Sequence, residues 1–457
     1  MSLVRVVEAE SFAGRRLRRR LAERLATVLD RKVERTAGRI VESIRKGGDA
    51  ALLAAAHSYD DFAGQVSGRP AAIGALRLAP LPEDRGWRNV LPVVRDALEL
   101  AIENVEQFHL AQLRAAGEGF VVEHSGCTLA EIVQPLARVG IYVPGGRASY
   151  PSTAVMTVVP ARVAGVAEIA VATPARTYLD QPVLRYTLAR LGVEEIWGVG
   201  GAHAIAAFAY GTESVRRVDA IAGPGNAWVT AAKRRVAGVV AIDGLMGPSE
   251  VVIVAGEEAE PALVAADLLA QAEHDPRAAA LLVTTSRRLA KRVAAEVESQ
   301  LERLATAETA RASLRGYGGV FLVADLAAAV ALAEEIAPEH LQLVGASIEA
   351  VADRFRAAGA VFVGARTPEV FGDYVAGPSH VLPTCGTARF ASGLSIETFR
   401  RRFHRVTVHV DASPSMVAMR AALATAAETL ARAEGLPAHA ASAAARRPAA
   451  DSDRSAS

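Results

Sequence analysis

The chain has 457 residues, 51% hydrophobic and 22% charged, with a formal net charge of +1 and only two cysteines. That length fills two or three domains with a large core. The mixed charge leaves no basic face for nucleic acid, two cysteines give no disulfide framework, and no run approaches the roughly 18 apolar residues of a membrane span. The N-terminus MSLVRVVEAESFAGRRLRRRL lacks an apolar segment before a cleavage site, so the simplest expectation is a soluble cytoplasmic protein with neither nucleic acid nor membrane as partner.

The first hundred residues read as helices. RLAERLATVLDRKVERTAGRIVESIRKGGDAALLAAA and VVRDALELAIENVEQFHLAQL repeat apolar residues at three- and four-residue intervals. From about 138 the texture changes to short β-branched runs that close on Gly or Pro: RVGIYVPGG, EIAVATP, EEIWGVGG and VDAIAGPGN. Helical stretches lie between them, which predicts parallel sheets and an α/β fold. The alternation resumes after 249 with SEVVIVAG, AALLVTT, GGVFLVAD and AVFVG, and no clean linker separates the two regions. One region inserted in the other accounts for that. SPSMVAMRAALATAAETLARAEGLPAHAASAAAR reads as helix, break, helix, and RRPAADSDRSAS as a disordered tail.

Few residues offer chemistry by pattern alone. The turns VPGG (143–146), GVGGAHA (198–204) and AGPGN (222–226) could admit a phosphate to backbone N–H groups. None matches G-x-G-x-x-G, so each is equally ordinary loop chemistry. QAEHDP (271–276) ends an Ala/Leu helix on polar residues. This is either a solvated last turn with a Pro stop or a pair, Gln271 and His274, on one face. His340 in APEHLQL, His380 in GDYVAGPSHVLPT and His439 in EGLPAHA also sit in polar, turn-rich settings. Glu339 and His340 follow Pro338, which suits the first turn of a helix and makes them either dipole-complementing polarity or an acid/base pair. Asp373 beside Gly372 suits a turn. No usual Cys/His zinc spacing appears, so the residues leave a metal site as one alternative among several.

VGIYVPGGRASYPSTAVMTVVPARVAGV, GGAHAIAAFAYGTE, AGPGN, GPSEVVIVA, QAEHDP, APEHLQL, GDYVAGPSHVLPT and EGLPAHA occur in one order. In that order the chain resembles the histidinol dehydrogenases over about residues 25 to 440. The resemblance implies two Rossmann-like domains with an incomplete dinucleotide fingerprint, one inserted in the other, and N- and C-terminal helical arms in an intertwined homodimer. The expected boundaries are an N-terminal helical arm at 1–24, a discontinuous catalytic domain at 25–141 and 249–393, and an NAD-side domain at 142–248. A dimerisation arm at 394–440 and a tail at 441–457 follow. The implied activity is four-electron oxidation of L-histidinol through L-histidinal to L-histidine, the last steps of histidine biosynthesis, with NAD and zinc. The motif matches make Gln271, His274, Asp373 and His439 zinc ligands, His439 coming from the partner subunit into a shared site. Glu339 and His340 become the acid/base pair. Ser249, Gln271, His274, His340, Asp373, His380, Glu434 and His439 become substrate contacts, and Tyr142, His203 and Asn226 NAD contacts. Neither Cys127 nor Cys385 is expected to act as a nucleophile.

Two stretches depart from the resemblance. His203 stands where the motif GGAQAIAA has Gln, and DGLMGPSE replaces DMPAGPSE, placing Leu245 and Met246 near Ser249. An imidazole has fewer bonding options than an amide, so altered cofactor binding is expected. The rival reading is the same chemistry on another polar alcohol, such as a sulfonated diol. His380 and Glu434 favour the imidazole-and-amine substrate over it.

Overall fold

The computed structural model describes residues 3–60, 72–81, 89–145, 150–410 and 413–448. Gly146 of the first glycine turn and the tail beyond 448 lie outside the described residues.

Two parallel or largely parallel sheets organise the described residues up to 115 and from 136 to 399. The first contains β1 (Val6–Glu8), β10 (Glu250–Ala255), β11 (Ala279–Thr284), β12 (Gly319–Leu322), β13 (His340–Val344) and β14 (Ala360–Val363). Its order is β1-β12-β11-β10-β13-β14, parallel throughout. β10 and β11 are buried at every position, as a sheet covered on both faces demands. Their alternate residues feed two cores: Val251, Ile253 and Leu282 point into one, Val252, Val254 and Leu281 into the other.

The second sheet contains β2 (Arg77–Leu78), β5 (Arg138–Tyr142), β6 (Glu168–Ala172), β7 (Glu195–Trp197), β8 (Ala220–Ala222) and β9 (Ala241–Ile242). Its order is β2-β7-β6-β5-β8-β9, with β2 antiparallel at the edge. In both sheets the strand order reverses beside the first strand of the main run, at β10/β13 and β5/β8, the crevice-forming position of doubly wound folds. The chain leaves the first sheet after β1 and returns to it at β10, so the second sheet is an insertion.

Three details differ from the expected boundaries. The N-terminal arm is not wholly helical, because Val6–Glu8 pairs with β12 before the helix Phe12–Ala22 begins. The helix Arg31–Tyr59 packs on the helices Gly201–Tyr210 and Ala227–Val236 and so belongs with the second sheet. That sheet also takes β5 from Arg138, ahead of the expected start at 142.

A separate compact unit is formed by residues 116–135, 400–410 and 413–448. β3 (Gly119–His124), β4 (Cys127–Pro135) and β15 (Arg400–Val408) make an antiparallel sheet in the order β15-β4-β3. The expected dimerisation arm therefore contains a strand as well as helices. Helix Pro414–Ala433 then breaks at Gly435 (φ +74°), and helix Pro437–Ala444 folds back on it. That second helix runs into the segment expected as tail.

Candidate active site

His340 opens strand β13, in register with Val251 on one side and Ala360 on the other. Helix Leu326–Ile336 ends on Ala337 in the left-handed conformation (φ +48°) and Pro338 prevents its renewal. Glu339 and His340 are thus a strand entry, not the first turn of a helix. The reason is tertiary: HLQLV is buried at every position, seated between β10 and β14.

The imidazole of His340 is enclosed by three carboxylates. Its Nδ1 lies 3.6 Å from Glu369 Oε2 and 3.9 Å from Glu339 Oε2, and its Nε2 lies 3.5 Å from Asp373 Oδ1. His340, Glu339 and Glu369 are 4%, 5% and 1% exposed, so these charges meet with little screening. Burial pushes the Glu339 carboxyl up to about 7, against the pull of His340. Burial pushes Glu369 up to about 8. Burial alone would lower His340, but Glu339, Asp373 and Glu369 outweigh it and raise the imidazole to about 10. Asp373 goes the other way: burial would raise it, and the bond to His340 holds it low. Glu369 was not foreseen. The available signal was its spacing four residues before Asp373, which puts both on one face of the helix Glu369–Tyr374.

Gln271 ends the helix Pro261–Ala272, which packs against the helix Glu369–Tyr374. Its side chain is 1% exposed and its Oε1 has no hydrogen-bond partner, a costly state for a buried carbonyl oxygen. His274 lies past the helix end, exposed, with Nε2 3.9 Å from Asp373 Oδ2. His380 donates from Nδ1 to the Asp373 carbonyl at 2.8 Å, and its Nε2 is 3.4 Å from Thr153 Oγ1. Burial lowers its pKa, keeping the ring neutral. Ser249 immediately precedes β10, half-buried.

Among the described residues, no group of three or more His, Cys, Asp or Glu side chains is arranged to hold a metal ion. Gln271, His274 and Asp373 supply one amide oxygen, one imidazole and one carboxylate. The orphaned amide oxygen suits a cation, and zinc accepts this donor chemistry, but three ligands fall short of the usual four.

The three proposed NAD contacts lie in the second sheet's layer. Its glycine turns follow β5, β7 and β8 and so share the carboxyl edge, those after β5 and β8 flanking the point where the strand order reverses. Gly223 (φ +112°) is needed there whatever binds, since a Cβ would strike the Tyr142 carbonyl. Tyr142 is 3% exposed and its hydroxyl accepts from Gly201 N at 3.0 Å. His203 is 1% exposed, and its Nε2 is 2.9 Å from Asp60 Oδ2. Asp60 Oδ1 also accepts from Gly200 N at 3.2 Å. Asn226 is exposed and caps the helix Ala227–Val236 through Oδ1. Met246 is buried and its carbonyl accepts from Thr230. Glu434 and His439 belong to the separate unit, both exposed, at the end of helix Pro414–Ala433 and in helix Pro437–Ala444.

The sequence matches the model of one protein family, Histidinol dehydrogenase, over residues 24–447. The chain belongs to the histidinol dehydrogenase family. It is 43% identical to the histidinol dehydrogenase of Parasynechococcus marenigrum over 92% of each chain. With that of Moorella thermoacetica it shares 45% identity, over 88% of this chain and 91% of the other. The crystal structure of histidinol dehydrogenase from Elizabethkingia anophelis superposes with a TM-score of 0.83 at 29% identity, covering 98% of both chains. These histidinol dehydrogenases are oxidoreductases of an NAD-dependent family. As for an activated thiol, burial beside Glu250 pushes Cys385 up to about 12, so it stays protonated.

Proposed function

We propose that the chain oxidises L-histidinol through L-histidinal to L-histidine in two successive dehydrogenations, the closing steps of histidine biosynthesis. The observation that carries this is the enclosure of His340 within 3.9 Å of three carboxylates, the buried Glu339 and Glu369 and the half-buried Asp373, beside the unpartnered amide oxygen of Gln271. When bound, NAD accepts a hydride in each oxidation, and zinc holds the imidazole and amino nitrogens of the substrate.

The remaining chemistry belongs to the side chains. Gln271, His274 and Asp373 would hold the metal, with His439 from a second copy of the chain completing the set. His340 takes the proton of the substrate hydroxyl. A cation held by Asp373 would share that carboxylate's charge, so His340 would hold its own proton less tightly and be free to act as base. Glu339, with a carboxyl near 7, is suited to take a proton from the water that adds to the aldehyde. His340 then receives the hydroxyl proton of the resulting hydrate. Neutral His380 and the carboxylate of Glu434 are assigned to the substrate, Glu434 facing its positive charge, and Ser249 contributes a hydroxyl. Tyr142, His203 and Asn226 remain the proposed cofactor contacts. Of these only Asn226 is exposed as a residue, and the internal His203–Asp60 pair supports an altered mode of NAD binding.

A homodimer with a shared site is supported by two features. The ligand set of the larger unit is one short, and β3 exposes Phe120 and Val122 on one face and Val121 on the other, apolar surface suited to burial against another subunit. The deciding assay offers histidinol, other amino alcohols and sulfonated diols with NAD and follows NADH. Preference for histidinol supports the reading, and preference for a sulfonated diol replaces the substrate.

A further inference from the structure

Arg24 heads the short helix Arg24–Val28 and is 1% exposed. Its Nη1 bonds Glu250 Oε2, itself 3% exposed. Its Nη2 reaches three carbonyls: Pro248, Ser249 at 3.0 Å and Arg277 at 3.1 Å. The other oxygen of Glu250 accepts from Cys385 N at 2.8 Å, so the acceptor is itself fixed.

One of these bonds reaches the chemistry. The Ser249 carbonyl and the Glu250 N–H are the two ends of a single peptide group, and that N–H donates to Glu339 Oε2 at 3.1 Å. The same carbonyl accepts from Ala279 N at 3.0 Å; the guanidinium adds a charged donor on the oxygen end, which fixes the plane further and polarises the N–H that grips the carboxylate. The bond to the Arg277 carbonyl ties down the chain just beyond His274. Only a planar fork can serve a carboxylate and several carbonyls at once; an ammonium on a flexible stem cannot. A buried ion pair is also a weak source of net stability, so stability alone explains this arrangement poorly.

We propose that Arg24 is a positioning residue for Glu339. Anchored by Glu250, its guanidinium fixes the Ser249–Glu250 peptide and through it the carboxylate that activates water for aldehyde oxidation. This rests on the proposed function, and it joins a residue near the start of the chain to a base more than 300 positions later.

The test is a double-mutant cycle in the full-length zinc-loaded enzyme, R24K made alone and in E339Q, with histidinol and histidinal as separate substrates. The expected result is a loss of about tenfold to a hundredfold in aldehyde oxidation by R24K. Alcohol oxidation should change by less than about threefold, and R24K should cause no further loss in E339Q. Equal loss in both oxidations, no loss in either, or full additivity with E339Q overturns the inference. If R24K does not fold, R24Q takes its place; failure of both to fold assigns Arg24 a purely structural role and also overturns it. Wild-type protein that oxidises neither substrate would instead refute the proposed function, a distinct outcome.

Discussion

Replacing Glu339 with Gln isolates the acid/base role from the packing. Gln fills the same volume, and its amide oxygen can still accept from Glu250 N, now 3.1 Å from the carboxylate. The fold is therefore retained and only the exchangeable proton is lost. Glu339 lies near 7 because burial disfavours its charge, so about half the molecules carry the carboxylate at neutral pH. The base form is present above that value and lost below it. Aldehyde oxidation in the unmodified enzyme should accordingly fall about tenfold per pH unit on the acid side. In Glu339→Gln that limb should vanish, with the rate about 10²- to 10⁴-fold lower, the usual worth of a general base. Alcohol oxidation, assigned to His340, should fall by less than about tenfold. The assay is NADH formation from histidinal and from histidinol across pH, with circular dichroism as the control for folding. Equal slowing of the two substrates, or an unchanged acid limb, would refute the division of labour.

Four further outcomes are expected. Purified protein should carry about one zinc per chain by metal analysis, and chelation should abolish NADH formation while leaving the circular dichroism spectrum intact; turnover after complete metal removal would contradict the template role. Mixing inactive His439→Ala chains with inactive His340→Ala chains should restore part of the turnover through hybrid dimers, and no recovery would speak against a shared site. Phe208 is 1% exposed with its ring against Gly140, so Phe208→Ala should cost about 3–5 kcal/mol in denaturant unfolding; a cost below about 1 kcal/mol would mean the site collapses freely. His109 is fully buried, with Nδ1 bonded to the Val105 carbonyl and Nε2 unpartnered, and burial lowers its pKa. The unfolded chain then binds the extra proton first, so stability is present above about 6.5 and declines as pH falls below it. Thermal melts of His109→Leu should show a shallower acid-side slope, and an identical slope would exclude His109 as a contributor.

Local pattern carried much of the architecture. β10 and β11 are short apolar runs with turn signals at each end, and a run buried on both faces has only one comfortable home, the interior of a parallel sheet. The helix Pro261–Ala272 likewise follows from its Pro at the first position and its Ala/Leu content. Ordered motifs carried the family. Pattern failed at Glu339–His340, where Pro338 signals a helix start equally well and only the vacancy between β10 and β14 makes the segment a strand. It was silent on Arg24 and Glu369, because a lone Arg in an arginine-rich stretch and a Glu at a helix start both read as surface residues. Their burial comes from elements 226 and 29 residues away in the chain, Glu250 for the first and His340 for the second. Short-range periodicity therefore determined which segments become strands and helices, and the ordered motifs which family the chain joins. Long-range packing alone decided which charges are stripped of water and brought face to face, since desolvation depends on neighbours that no local window contains.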